Sequence, residues 1–283
     1  MAMIILDLSQ VMISTLMAQI GNHHNAEIDE NLLRHMVLNS VRANKRKFAD
    51  EYGEFVIACD GRHSWRKDVF PFYKANRKKN REESELNWTL IFESLGKIRD
   101  ELKEYFPYRV IQLDTAEADD IIATLVKENQ GERILIVSGD KDFQQLQKYP
   151  FVQQYDPTRK KFLQCNSPSA FLKEHILKGD TSDGVPNFLS EDNCLVVGVR
   201  QKSVTTKKLA YWLNQEPETF CNSYMLRNYK RNQQLIDFDF IPEEIQKSIV
   251  SIYNEQENKG REKLFNYFVQ FKLKHLLTDI GDF

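Results

Sequence analysis

The residues of this chain best suited to chemistry are two acidic clusters, Glu117-Ala118-Asp119-Asp120 and Asp140-Lys141-Asp142. Each sits beside an apolar run that reads as a buried strand, 108–113 (YRVIQL) and 133–138 (RILIVS). Two further aspartates close apolar runs in the same way: Asp7 after Met3-Ile4-Ile5-Leu6, and Asp60 after Phe55-Val56-Ile57-Ala58-Cys59. Carboxylates this close repel one another, so strand ends that gather several of them require cations. A further pair, Gly179-Asp180-x-x-Asp183-Gly184, opens a loop-rich stretch and is a candidate for the same site. Oxygen-only ligation suits Mg²⁺ or Mn²⁺ and not zinc. Two such ions about 3.5–4 Å apart serve in-line attack on phosphodiesters.

Taken singly, each acid has a plain structural reading. Asp7 is placed to cap a helix, and Asp60-Gly61 to make a turn. Glu117 and Asp120 fall in a first helical turn, where the backbone dipole favours negative charge. The joint pattern outweighs these readings, because all four strand candidates end in acids. In an open α/β sheet, ligands bind outside the carboxyl ends of the strands.

Residues 62–81 carry the opposite charge: Arg62, Arg66, Lys67, Lys74, Arg77, Lys78, Lys79 and Arg81, against the single acid Asp68. Trp65, Phe70, Phe72 and Tyr73 interleave them. Cations bind phosphates and aromatic faces stack on unpaired bases, so this reads as a single-strand-binding element. The bland reading is a solvated helical face. A second, weaker basic group, Arg200, Lys202, Lys207 and Lys208, surrounds a turn at Gly198 and would suit duplex phosphates.

The elements that must position these groups follow from periodicity. The first 165 residues alternate short apolar runs with helix-period segments, which predicts an α/β domain with a mostly parallel sheet. Helices are expected over 33–48, 86–106 and from about 114, with Asp114 as N-cap and Glu117 completing a capping box. From about residue 166 the texture turns helical, with helices expected at 204–213, 224–236, 243–253 and 262–277. The apolar residues of 264–283 read as core. This gives a domain of 1–165, including a basic segment at about 61–92, and a smaller helical domain of 166–283.

Composition excludes several classes. With 283 residues, 41% hydrophobic and 28% charged, the chain is that of a soluble globular protein. It holds no apolar run long enough for a membrane span and no signal peptide before the first strand. Its four cysteines form no CxxC pair, which argues against zinc and for a reducing cytosol. The net charge of −2 selects no partner; the distribution of charge does.

The series ILDLS, CDG, FYKANR, EADD, SGDKDF and LKGDTSDGV, in this order, resembles the 5′-nuclease family of flap endonucleases and bacterial polymerase 5′-exonuclease domains. FYKANR and IDFDFIP are similar to its bacteriophage branch. The resemblance implies a PIN-like nuclease domain followed by a helical duplex-binding domain. It implies one metal site from Asp7, Asp60, Glu117 and Asp119, and a second from Asp140, Asp142 and Asp183, with Asp120 and Asp180 in support. Lys74 and Arg77 would contact the scissile phosphate, with Tyr73 stacking near the strand end. The basic segment would form an arch that handles a 5′ single strand.

The implied activity is a 5′→3′ nuclease using two Mg²⁺ (Mn²⁺ as substitute), with ribonuclease H, exonuclease and flap endonuclease action in RNA-primer removal during phage DNA replication. Its substrates would be RNA·DNA hybrid and duplex DNA with a 5′ flap. A monomer in the bacterial host cytoplasm is expected, with a single-strand DNA-binding protein and a sliding clamp as partners. The chain departs from the family at 185–208, where only Gly198-Val199-Arg200 stands in for a Gly-x-Gly helix-hairpin-helix, so no potassium site is carried over. Two rival readings fit the sequence less well. A catalytically silent binding protein on the same fold is disfavoured by the complete acid set. A haloacid-dehalogenase-type phosphatase requires a DxD where this chain has Asp7-Leu8-Ser9.

Overall fold

The computed structural model describes residues 2–20, 29–84, 86–129, 131–256 and 259–283, without the side chains of 19, 20 and 78–80. The chain divides into two compact units: Met1–Arg62 with Asn87–Gln164 and Glu244–Phe283, and His63–Leu86 with Cys165–Glu243.

The first unit is built on a six-stranded sheet, ordered β3-β2-β1-β4-β5-β6. The strands are β1 Met3–Asp7, β2 Glu54–Cys59, β3 Arg109–Gln112, β4 Ile134–Val137, β5 Val152–Asp156 and β6 Lys161–Leu163. Strands β1 to β5 pair in parallel, and β6 returns antiparallel to β5. Every residue of β1 and β4 is buried, the mark of strands covered on both faces and the reason their sequences show no alternation. The four strands expected from sequence are all present. β5 and β6 go beyond those four: VQQYD carries too little apolar character to read as a strand, yet its Gln154 is 1% exposed.

Helices pack the faces as their spacing dictates. Glu30–Tyr52, capped by Asp29, buries Leu33, Met36, Val37, Val41 and Phe48. It packs on Leu8–Ile20 and on Trp88–Tyr105, which stops where Phe106 turns extended before Pro107. The segment expected as one helix over 262–277 breaks into Leu264–Gln270 and Lys274–Leu277, with Lys272 in the left-handed region (φ 54°) between them. Its Tyr267, Phe268 and Phe283 are fully buried against Phe106, so these apolar residues are core as read. Gln256 bonds both main-chain groups of one residue of the outer strand: its amide donates to Val110 O (2.9 Å), and its Oε1 accepts from Val110 N (3.0 Å).

The second unit has its own core, in which Phe70 and Tyr73 join Ile176, Leu177, Val185, Phe188, Leu209, Trp212, Tyr229, Leu235 and Ile236. Compactness therefore does not follow a single cut near residue 166. Burial of Phe70 and Tyr73 draws 63–86 to the helices of 165–243, while the aromatics after residue 263 draw Glu244–Phe283 to the sheet.

Candidate metal centre and basic loop

In the first unit the parallel strands deliver their acids to one edge. Asp7 ends β1, Asp60 follows β2, and Asp140 and Asp142 follow β4. Asp7 is 4% exposed. Its Oδ1 accepts from Gln10 N (3.1 Å) and its Oδ2 from the Ser138 hydroxyl (2.9 Å). The same Ser138 oxygen accepts from Asp140 N (3.1 Å), so one hydroxyl joins the ends of two neighbouring strands. Burial, with Asp60 and then Asp140 adding repulsion, pushes the Asp7 carboxyl up to about 7.

Glu117 and Asp119 reach this edge on the Ala118–Glu128 helix. The capping box lies three residues later than sequence suggested: Glu117 is the N-cap, and the Asp120 carboxylate accepts from Glu117 N at 2.9 Å. Asp114 sits instead in the turn that precedes it, because Ala116 N is bonded to Leu113 O (3.0 Å) and the chain is still reversing there. Asp60 Oδ1 accepts from Ala118 N (2.9 Å), which ties the end of β2 to the helix start. Gly61 makes that approach possible, since a Cβ there would stand 2.1 Å from Leu113 O. Asp120 is fully buried, a helix-start residue, while Glu117 is 8% exposed and Asp119, Asp140 and Asp142 are partly exposed.

Sequence reasoning passed over the residues that hold these acids. Asp140 Oδ1 accepts from Asp142 N (2.9 Å). Gln154 donates to Ser138 O (3.0 Å) and Asp140 O (2.6 Å), and Gln10 accepts from Gly139 N (3.1 Å). Only Ser138 carried a signal, as the polar end of an apolar strand.

In the second unit the loop of Asp180 and Asp183 organises the basic turn. Asp180, 4% exposed, accepts from Ser182 N (2.8 Å) and bonds the His175 ring (3.0 Å). Asp183 accepts from the Tyr73 hydroxyl (2.9 Å) and from Arg77 (2.5 Å), with Lys74 Nζ at 3.6 Å. Main chain reinforces this: Lys74 N donates to Asp183 O (2.7 Å), Arg77 Nε to Ser182 O (3.2 Å) and Asn76 to Thr181 O (2.9 Å).

Two of the basic-segment expectations are corrected. Arg66 is 2% exposed, lies over the Trp65 ring and donates to Leu235 O (2.8 Å), so it braces the core and presents no surface to a phosphate. The Tyr73 ring is 4% exposed and packed with Phe70 in that core, and Trp65 is buried beneath Arg66, so these aromatics are spent on burial rather than on bases. Arg62, Lys67 and Arg81 are exposed; partial burial and the nearby Arg77 push Arg81 down. The side chains of Lys78 and Lys79 lie outside the described residues. Arg200, Lys202, Lys207 and Lys208 are all exposed, beside the exposed Val196, Val197 and Val199 and the left-handed Gly198 (φ 73°).

Comparison with known proteins identifies the family and the fold. Residues 3–175 match the family model of the 5′-3′ exonuclease N-terminal resolvase-like domain, and residues 167–283 that of the T4 RNase H C-terminal domain. The chain is 38% identical to the ribonuclease H of Enterobacteria phage T4, over 99% of this chain and 95% of that one. It is 34% identical to the flap endonuclease Xni of Shewanella sp. (strain MR-4), over 47% of this chain and 51% of that protein. Among solved structures, the T5 D15 flap endonuclease in complex with DNA and metal ions superposes with a TM-score of 0.65 at 16% identity, covering 89% of this chain and 99% of that one. The fold is thus shared with that enzyme. On its sequence match along both halves, the chain belongs to the 5′→3′ exonuclease family, in the branch that contains the phage T4 ribonuclease H.

Proposed function

We propose that this protein is a Mg²⁺-dependent 5′→3′ nuclease that removes RNA primers and adjacent DNA, and cuts at the base of 5′ flaps, during phage DNA replication in the host cytoplasm. The observation that carries the reading is the meeting of Asp7, Asp60 and Asp140 at one sheet edge, where burial first, and then Asp60 and Asp140, push the Asp7 carboxyl up to about 7. Such a cluster is stable as anions only beside cations. The donor set is all oxygen, partly exposed and rigidly bonded from behind, which fits hard divalent ions.

Asp7, Asp60, Glu117 and Asp119 would hold one ion, and Asp140 and Asp142, with Asp183, a second. When bound, the metals supply a water activated for attack and a counter-charge to the phosphate oxygens. The chain's own part is positional. Ser138 and Gln154 fix Asp7 and Asp140, Asp60 fixes the helix start that carries Asp119, and no side-chain nucleophile is required. Lys74 and Arg77 would neutralise charge developing on the phosphate, and Arg62, Lys67, Lys78, Lys79 and Arg81 would guide the 5′ strand. Arg200, Lys202, Lys207 and Lys208 would rest on duplex phosphates, and the protein would act as a monomer, with a single-strand DNA-binding protein and a sliding clamp as partners.

The test is cleavage mapping on 5′-labelled RNA·DNA, nicked and flap substrates with Mg²⁺ and with EDTA. Asp140→Asn and Asp119→Asn should each lose at least about a hundredfold in rate while keeping the far-UV spectrum. Near-normal turnover by either variant would overturn the two-ion assignment.

A further inference from the structure

The opposite edge of the sheet holds a second polar cluster, built from cations. Helix Glu30–Tyr52 presents Arg42, Lys45 and Arg46 at i, i+3 and i+4, on neighbouring faces. Two of the three are matched: Arg42 pairs with Asp279, and Arg46 with Asp282 at 3.5 Å. Lys45 makes no ion pair among the described residues. Its Nζ lies 5.7 Å from the centre of the Tyr108 ring. Arg261, held by its bond to Ile280 O (2.5 Å), is close enough that, after burial, its charge is the main influence pushing Lys45 down; Asp282 opposes it only in part.

Tyr108 is the third member. It immediately precedes β3, so it stands at the N-terminal edge of a parallel sheet whose acids lie at the C-terminal edge. The residue is 3% exposed, fixed by the rings of Phe55 and Phe106, and its hydroxyl finds no hydrogen-bond partner among the described residues. Arg261 acts on that hydroxyl electrostatically as well. A buried hydroxyl without a partner is unfavourable, and two like charges brought together beside it add repulsion. A bound oxyanion removes both penalties at once, accepting from an ammonium, a guanidinium and a phenol.

We propose that Lys45, Tyr108 and Arg261 form a binding site for a phosphate group, across the sheet from the acidic cluster. The site reads as one for a phosphate because an ammonium beside the Tyr108 ring, an unpartnered phenol and a guanidinium are donors of different shape, which suits a tetrahedral dianion. The group could come from free phosphate or a nucleotide, or from a nucleic-acid backbone, and the experiment separates these sources.

Inorganic phosphate is titrated calorimetrically into the full chain carrying Lys74→Ala and Arg77→Ala, so that uptake at the basic turn does not contribute, with chloride at matched ionic strength as control. One site is expected, weakened at least about tenfold by Lys45→Met, by Arg261→Gln and by Tyr108→Phe. Tyr108→Phe deletes only the unpartnered hydroxyl and should leave the melting temperature in phosphate-free buffer unchanged or higher. Displacement of phosphate by uncleaved duplex DNA in EDTA assigns the site to a backbone; failure to displace it assigns the site to free phosphate or a nucleotide. No binding, equal binding by all variants, or reproduction of the heat by chloride would overturn the proposal. So would a Tyr108→Phe variant that is destabilised yet binds phosphate normally, since the hydroxyl would then serve a water alone.

Discussion

Asp183 is the counter-ion of Arg77: its Oδ1 accepts from the guanidinium at 2.5 Å, while its Oδ2 takes the Tyr73 hydroxyl and faces Lys74. The acid that resemblance assigns to a metal is thus also the residue that sets the basic turn. In EDTA, where metal loss contributes nothing, Asp183→Asn should lower the stability of the protein by about 1 kcal/mol, a modest figure because Arg77 is 43% exposed. A chemical melt that leaves the midpoint unmoved would remove the counter-ion role.

Lys74 adopts a left-handed backbone, φ 56°, which only glycine takes without strain. The Asp183 carbonyl holds it there through Lys74 N, and Gly184 (φ 72°) lets the loop approach, since a Cβ would stand 2.8 Å from Phe72 O. Strain held at a functional residue should be separable from function. Lys74→Gly is expected to match or exceed the wild-type melting temperature and to lose at least about tenfold in cleavage rate. Lys74→Ala should lose activity without the gain in stability. A Lys74→Gly variant with wild-type turnover would show that the side chain has no part in the chemistry.

The pH dependence follows from Asp7. Its ordinary value of 3.8 is raised to about 7 in the folded protein by burial, Asp60 and Asp140. The folded state therefore holds this proton more tightly than the unfolded chain. The stability it contributes is fully present below about pH 4 and is lost as pH rises through 7. In EDTA, wild type should lose stability relative to Asp7→Asn between pH 4 and 7.5. Saturating Mg²⁺ should abolish most of that loss. Parallel curves for the two proteins in urea melts would contradict this.

Ligand linkage gives a direct measure of the acid cluster. Mg²⁺ at about a hundred times its dissociation constant should stabilise the wild type by roughly 2.7 kcal/mol, visible as a rise of several degrees in the melting temperature. Asp140→Asn should blunt the rise. No shift in the wild type would count against an ion site.

The Asp120 carboxylate caps the helix that carries Asp119, bonding Glu117 N at 2.9 Å. Asp120→Ala should cost about 1–2 kcal/mol and lower cleavage as well, because fraying begins at the functional residues. Asp120→Asn should retain more stability than the alanine variant. Equal stability of wild type and Asp120→Ala in thermal melts would argue against the cap.

The sheet-edge acids were legible because buried parallel strands announce themselves as unbroken apolar runs, and the residue after each run is fixed at the strand's end. Asp7 and Asp60 could be placed from that alone. The same logic failed for β5, where Gln153 and Gln154 break the apolar run; Gln154 is buried because its amide has Ser138 O and Asp140 O to bond. No local pattern reveals a partner supplied by another strand. Phe70 and Tyr73 misled for a related reason. Aromatics among lysines and arginines look like a base-stacking surface, and only the core formed with Phe188, Leu235 and Ile236 shows which way they face. The capping box was displaced because Asp114 and Glu117 have the right spacing, while the turn closed by Ala116 N and Leu113 O delays the helix.

The bond between Gln256 and Val110 has a consequence for the behaviour of the chain in bulk. β3 is an outermost strand, and an outermost strand offers its free peptide groups to any extended segment that drifts past. A single glutamine amide from the Glu244–Phe283 segment occupies the central pair of those groups, as the next strand of a larger sheet would. That segment is therefore more than filling for the core: it is a guard against self-association, and a protein that loses its grip on β3 becomes a template for its own aggregation.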